Sequence, residues 1–268
     1  MGKVYIVGAG PGDPELLTLK AYRILKEADV ILYDRLINDE ILNLRKTDCK
    51  LVYVGKEDGK HTIPQEEINK LLLFYAKIHK TVVRLKGGDP FIFGRGGEEA
   101  LFLEQSGIPY ELIPGISSFY AVPEYASIPL TFRGISSSFA VVTGHEMVGK
   151  SKYVNWKAFK DIDTLVVLMG VRNRQRIARE LIKGGRNPYE PVAFIEKGTT
   201  EEQKVILSTL YEVAENPPEV HSPAVMVVGR VVELHNLLKN FNETLKGVGF
   251  NGVIKNNPGG HSLNGKTF

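Results

Sequence analysis

The stretch Val82-Val83-Arg84-Leu85-Lys86-Gly87-Gly88-Asp89-Pro90-Phe91-Ile92-Phe93-Gly94-Arg95-Gly96-Gly97-Glu98-Glu99 decides the fold. Residues 82–85 form a short, largely apolar and β-branched run, the signature of a strand buried on both faces. The run breaks into a loop holding five glycines. A strand ending in such a loop is the repeating unit of an α/β sheet, whose ligands gather beyond the carboxyl ends of the strands. The loop's composition points the same way. Paired glycines bring backbone close to a ligand, Asp89 accepts hydrogen bonds, Phe91 and Phe93 offer aromatic surface, and Arg95 binds an anion. A Gly-Asp-Pro turn alone would need neither Arg95 nor so many glycines, so the loop reads as the site of a mixed-charge ligand.

Working outward, strand-like runs at residues 4–7, 30–33 and 51–54 alternate with helical patterns from about Glu15 and from about Gln65. This βαβα rhythm predicts a largely parallel sheet with helices on its faces. The pattern restarts after Pro114-Gly115, with strand-like runs at 138–143, 165–169, 192–195, 204–207 and 225–228. The expected division is an N-terminal α/β domain over 1–114 and a second α/β domain over 115–240. Residues 241–268 are rich in Gly, Asn and Lys without periodicity and read as a flexible tail. Asp34 with Arg35, and Lys56, each follow a strand at what should be one sheet edge, which marks them as candidates for chemistry.

Composition excludes several classes. Hydrophobic residues make up 43% and charged residues 24%, as in an ordinary globular chain and unlike a disordered one. The longest apolar run, residues 165–171, is far short of the ~20 residues a spanning helix needs, so a cytoplasmic, membrane-free protein is expected. One cysteine, Cys49, rules out an intrachain disulfide and a multi-cysteine metal site, and the six histidines show no metal-ligand spacing. No metal is expected. A net charge of +3 is too mild to demand nucleic acid, yet it suits an acidic small substrate.

Two nucleotide motifs fail on inspection. Gly8-Ala9-Gly10-Pro11-Gly12-Asp13-Pro14 follows the first strand, but Asp13 stands where a dinucleotide fingerprint needs its third glycine. Pro11 also removes an N–H that a pyrophosphate would use. Gly144-His145-Glu146-Met147-Val148-Gly149-Lys150-Ser151 matches the spacing of a phosphate loop. It lacks a clean helix after Ser151 and an acid at the end of the next strand, which reads Met169-Gly170.

Taken in order, the motifs resemble the tetrapyrrole methylases over about residues 3 to 238. They are VGAGPGDP at 7–14, YDRL at 33–36, VGK at 54–56, IPQEEIN at 63–69, the GGDPFIFGRGGEE loop, PGISS at 114–118, IPLT at 128–131, SFAVVTGH at 138–145, Met169-Gly170 and EKGT at 196–199. The resemblance implies two α/β domains with S-adenosyl-L-methionine in the cleft between them, usually in a homodimer. Its cofactor contacts fall on Pro11, Gly87, Gly88, Asp89, Ile92, Ser117, Ser118, Met169 and Gly198. Its general base falls on Asp34 and its general acid on Lys56. Phe132, where many relatives have histidine, and Ser117, in place of the usual threonine, depart from the pattern.

The activity implied is C-methylation of uroporphyrinogen III at C2 and C7 to give precorrin-2, with release of S-adenosyl-L-homocysteine, toward sirohaem or cobalamin. That substrate carries eight carboxylates, for which Arg35, Arg84, Arg95 and Arg133 are the candidate anchors. Within the 87–95 loop, Gly87, Gly88, Asp89 and Ile92 are expected to hold the cofactor's amino-acid side while Arg95 faces the tetrapyrrole. Other readings stay open: a later precorrin methylase, a phosphate-loop NTPase, or a non-catalytic tetrapyrrole carrier.

Overall fold

The computed structural model describes residues 1–55, 63–145 and 153–238. Lys56, Glu146 through Ser151 of the phosphate-loop-like run, and residues 241–268 lie outside the described residues.

The first sheet holds β1 (Lys3–Gly8), β2 (Val30–Tyr33), β3 (Lys50–Tyr53), β4 (Thr81–Lys86) and β5 (Tyr110–Ile113) in the order β3-β2-β4-β1-β5, every pairing parallel. Helices cover both faces, which is why its central strands are largely apolar, with Arg84 and Lys86 at the carboxyl end of β4 as the charged exceptions. On one face α3 (Gln65–Ile78) and α4 (Gly96–Gln105) bury Ile68, Leu72, Ala100 and Leu103 against Val4, Ile6, Leu32 and Val82. On the other, α1 (Leu19–Glu27) and α2 (Asp39–Leu42) bury Ala21, Leu25 and Ile41 against Val7, Ile31, Val83 and Leu85. Cys49 lies in this second layer, where burial pushes its thiol up.

The helix expected from Glu15 begins later. Asp13 caps a short 3₁₀ turn at Pro14–Leu16, accepting from the Glu15 N–H at 2.8 Å, and the chain then straightens. The Thr18 hydroxyl accepts from Ala21 N–H at 3.2 Å and starts α1 at Leu19, as an N-cap does.

The second sheet holds β6 (Phe139–Thr143), β7 (Thr164–Leu168), β8 (Pro191–Glu196), β9 (Lys204–Thr209) and β10 (Ala224–Val228) in the order β6-β7-β10-β8-β9. Only β6 and β7 run parallel; β10 is antiparallel to both β7 and β8, and β8 to β9. The expectation of a largely parallel sheet is therefore corrected for this half. The link between β8 and β9, residues 197–203, is shorter than the dozen or so residues a parallel crossover requires, so the pair closes as a hairpin. One face is covered by α6 (Arg174–Lys183) and α7 (Leu210–Glu215), the other by α5 (Ser118–Tyr125) and the turn at Arg230–Asn236. Among the described residues no helix is long and apolar enough to cross a membrane.

Strand order places the site. β1 and β4 are neighbours, yet β1 leads through α1 to β2 on one side while β4 leads through α4 to β5 on the other. The loops leaving their carboxyl ends diverge, and a crevice opens at this switch point.

Candidate active site

A cleft of about 670 Å³ lies over that switch point, roofed by the second sheet. Its walls include Gly10 and Pro11 after β1, Asp34 and Arg35 after β2, and residues 86–89 and 92–95 after β4. Ser117, Ser118 and Val122 of α5, Met169 after β7, Gly198 after β8 and residues 222–225 at the start of β10 complete it.

Backbone meets backbone on the glycine side. Gly10 and Gly88 form an isolated antiparallel bridge, the Gly88 N–H donating to the Gly10 carbonyl at 2.7 Å. A Cβ on Gly115 would stand 2.2 Å from the Gly88 carbonyl oxygen, so only hydrogen fits where the two chains cross. Asp89 locks the crossing: Oδ1 accepts from Phe91 N–H at 2.8 Å and Oδ2 from Gly115 N–H at 3.0 Å. Opposite, a Cβ on Gly198 would stand 2.3 Å from a Val122 methyl. Helix α5 starts here with no side-chain cap from Ser117, which leaves first-turn N–H groups available to an anionic or polar ligand. Phe93, Arg95 and Met169, all lining the cleft, hold left-handed backbone (φ 52, 60 and 56°), a conformation that non-glycine residues keep mainly where surrounding structure enforces it.

The opposite side is charged. Asp34 Oδ1 accepts from Leu36 N–H at 3.2 Å, and Oδ2 faces Arg84 Nη2 at 3.6 Å. Arg84 is buried, its Nε donating to Glu99 Oε1 at 3.1 Å and its Nη1 to the carbonyls of Leu85 and Leu32. Lys86 Nζ and Gln65 Nε2 reach the same Glu99 oxygen, each at 3.1 Å. Burial, and then the neighbouring Arg84, hold the Lys86 ammonium below the usual lysine range. Arg95 is exposed and paired with Glu98 through Nε at 2.9 Å and Nη2 at 2.5 Å.

All nine residues expected to contact a cofactor line this one cleft, as do Asp34, Arg35, Arg84 and Arg95. Arg133 sits on an exposed turn closed by the Phe132–Ser136 bridge and is not among the lining residues. Sequence reasoning gave no role to Lys86, Gln65 or Arg172. For Lys86 the signal existed: it is two residues past Arg84 on one strand and must share its face.

A protein with a glycine-walled recess and a charged recess in one crevice between two α/β layers belongs, by fold and site, among enzymes that bring together two unlike small molecules. The profile of the tetrapyrrole (corrin/porphyrin) methylases matches residues 3–214, and the chain belongs to that family. It is 51% identical over 249 residues to uroporphyrinogen-III C-methyltransferase of Bacillus subtilis, covering 92% of this chain and 97% of that one. It is 52% identical over 236 residues to the enzyme of the same name from Methanocaldococcus jannaschii, covering 87% and 98%. The crystal structure of uroporphyrin-III C-methyltransferase from Thermus thermophilus complexed with S-adenosylhomocysteine superposes with a TM-score of 0.77 at 49% identity, covering 87% of this chain and 94% of that one.

Proposed function

We propose that this chain methylates uroporphyrinogen III at C2 and C7 from S-adenosyl-L-methionine, giving precorrin-2 and S-adenosyl-L-homocysteine. The observation that carries the reading is the division of one cleft into a main-chain recess and a cationic recess. The cofactor supplies an electrophilic methyl group. The residues at 11, 87–89, 92, 117, 118, 169 and 198 hold it: the glycines admit its flat and bulky parts against backbone, and the α5 N-terminus offers N–H donors. The residues of the charged side receive the macrocycle, with Arg35 and Arg95 as carboxylate anchors; Arg133, on its exposed turn away from the lining, is left out of that set.

Orientation supplies most of the rate, because fixing two reactants in line is worth roughly 7–11 kcal/mol against the ~10²–10⁴-fold from one acid or base. Asp34, presented to the cleft by Leu36 N–H and Arg84, takes the proton that the methylated ring sheds. Lys56, outside the described residues, is the proposed proton donor. The reading takes the chain as a cytoplasmic homodimer, and light scattering of the purified protein at twice the monomer mass is expected.

The decisive experiment is anaerobic incubation of uroporphyrinogen III with S-adenosyl-L-methionine and the chain. Mass spectrometry should show a gain of two methyl groups with S-adenosylhomocysteine released. Binding of the tetrapyrrole without that release would overturn the enzyme reading in favour of a carrier.

A further inference from the structure

The sequence offers Arg84 as a carboxylate anchor, but the structure uses up its guanidinium inside the protein: Nε on Glu99, Nη1 on two carbonyls, Nη2 facing Asp34. Lys86, one pleat further along β4, is different. It is only 5% exposed, it lines the cleft, and its Nζ has one hydrogen-bond partner among the described residues, Glu99 Oε1. An ammonium carries three N–H donors, so two remain for whatever enters.

The carboxylate behind it is shared. Glu99 is fully buried, and one of its oxygens serves Arg84, Lys86 and Gln65 together while the other, Oε2, has no hydrogen-bond partner among the described residues. Two buried cations thus share one carboxylate oxygen, with Asp34 at the outer edge of Arg84. Burying an ammonium beside a guanidinium costs free energy unless an anion answers it. Asp34 answers Arg84 from its outer edge, which leaves Lys86 a share of one Glu99 oxygen as its carboxylate contact among the described residues. Here the open side is the cleft.

We propose that Lys86 is a substrate-binding residue, taking one carboxylate of the tetrapyrrole at the floor of the cleft. The proposal rests on the tetrapyrrole reading above and adds to it the residue that fixes how deeply the macrocycle seats. Glu99 holds the ammonium in place from behind, so the carboxylate meets a fixed donor, and the propionate or acetate arm that reaches it sets the ring's height relative to the Gly87–Gly88 backbone.

The test uses uroporphyrin III, the stable oxidised macrocycle with the same carboxylates, titrated by fluorescence into the full chain. S-adenosylhomocysteine binding is measured alongside by calorimetry. Lys86→Gln should weaken uroporphyrin III on the order of ten- to a hundredfold, as loss of a charge-assisted hydrogen bond does, and leave S-adenosylhomocysteine within about twofold. Should that variant fold poorly because Glu99 loses a partner, Lys86→Gln with Glu99→Gln removes both charges, and the same selective loss is expected. An unchanged uroporphyrin III affinity, or equal weakening of both ligands, overturns the proposal. Methyl transfer is scored separately. A wild-type chain that binds uroporphyrin III through Lys86 yet transfers no methyl removes the activity and supports this residue; a chain that methylates while Lys86→Gln binds normally removes this residue alone.

Discussion

Asp89 gives both carboxylate oxygens to backbone, one turning the loop at Phe91 and one reaching Gly115, between β5 and α5. Under the proposed function, its influence on the cofactor runs through the shape of the loop. Asp89→Ala is expected to weaken S-adenosylhomocysteine on the order of tenfold, since hydrogen bonds to a charged group contribute about 1.5–3 kcal/mol each and water replaces part of that. Calorimetry would read it, and unchanged affinity would show that the loop keeps its form unaided. The loop was legible in sequence because its glycines, acid, aromatics and arginine are contiguous. Lys86 shares the strand face of Arg84 and was open to reading, whereas Glu99 was not, because its meaning arises only when α4 folds back on β4 and sets that carboxylate beside a lysine thirteen positions away.

Among elements, the first sheet was readable strand by strand except β5. Tyr110-Glu111-Leu112-Ile113 carries an acid that looks out of place until Lys3 and Lys20 are seen flanking it. The antiparallel half of the second sheet was misread, since periodicity reports that a strand exists and not which way its neighbour runs. Asp29, at the head of β2, ties three segments of the first sheet together: it accepts from Lys46 Nζ at 2.6 Å and from the N–H groups of Lys80 and Thr81. The Lys46 hydrogen bond, aided by the Thr81 N–H, holds its carboxyl below the usual range. A folded-state pKa lying below the unfolded one means that the stabilisation is complete above the ordinary carboxylate range and disappears as pH falls through the depressed value. Asp29→Asn should thus lower the melting temperature at neutral pH, with the gap from wild type closing in acid. A gap constant with pH would remove the ionised carboxylate as its cause.

Across the whole molecule, the two layers meet through a few polar threads. Asp13 N–H donates to Thr199 Oγ1 at 3.1 Å and the Tyr125 hydroxyl donates to Asp13 Oδ2 at 2.8 Å, while Gln203 Nε2, within the second half, steadies the Tyr125 carbonyl. Burial and the Asp13 carboxylate both push the Tyr125 phenol up, so it remains a donor across the physiological range. A ligand gripped by both layers adds to these threads. S-adenosylhomocysteine at a hundred times its dissociation constant should stabilise the chain by about 2.7 kcal/mol, a rise of roughly 5–10 °C in melting temperature for a protein of this size. Scanning calorimetry with and without the ligand checks it, and an indifferent melting temperature would mean that the ligand does not bind the folded chain.

The crossing of Gly115 over Gly88 leaves a wall made of main chain alone. Such a wall offers natural selection nothing to vary: no side chain there can be enlarged, shrunk or recharged without forcing the layers apart. Novelty in this scaffold has to arise at the rim, where Leu36, Phe93 and Arg172 present replaceable surface. Descendants of such a chain should drift in the acceptor they take while keeping the donor they started with.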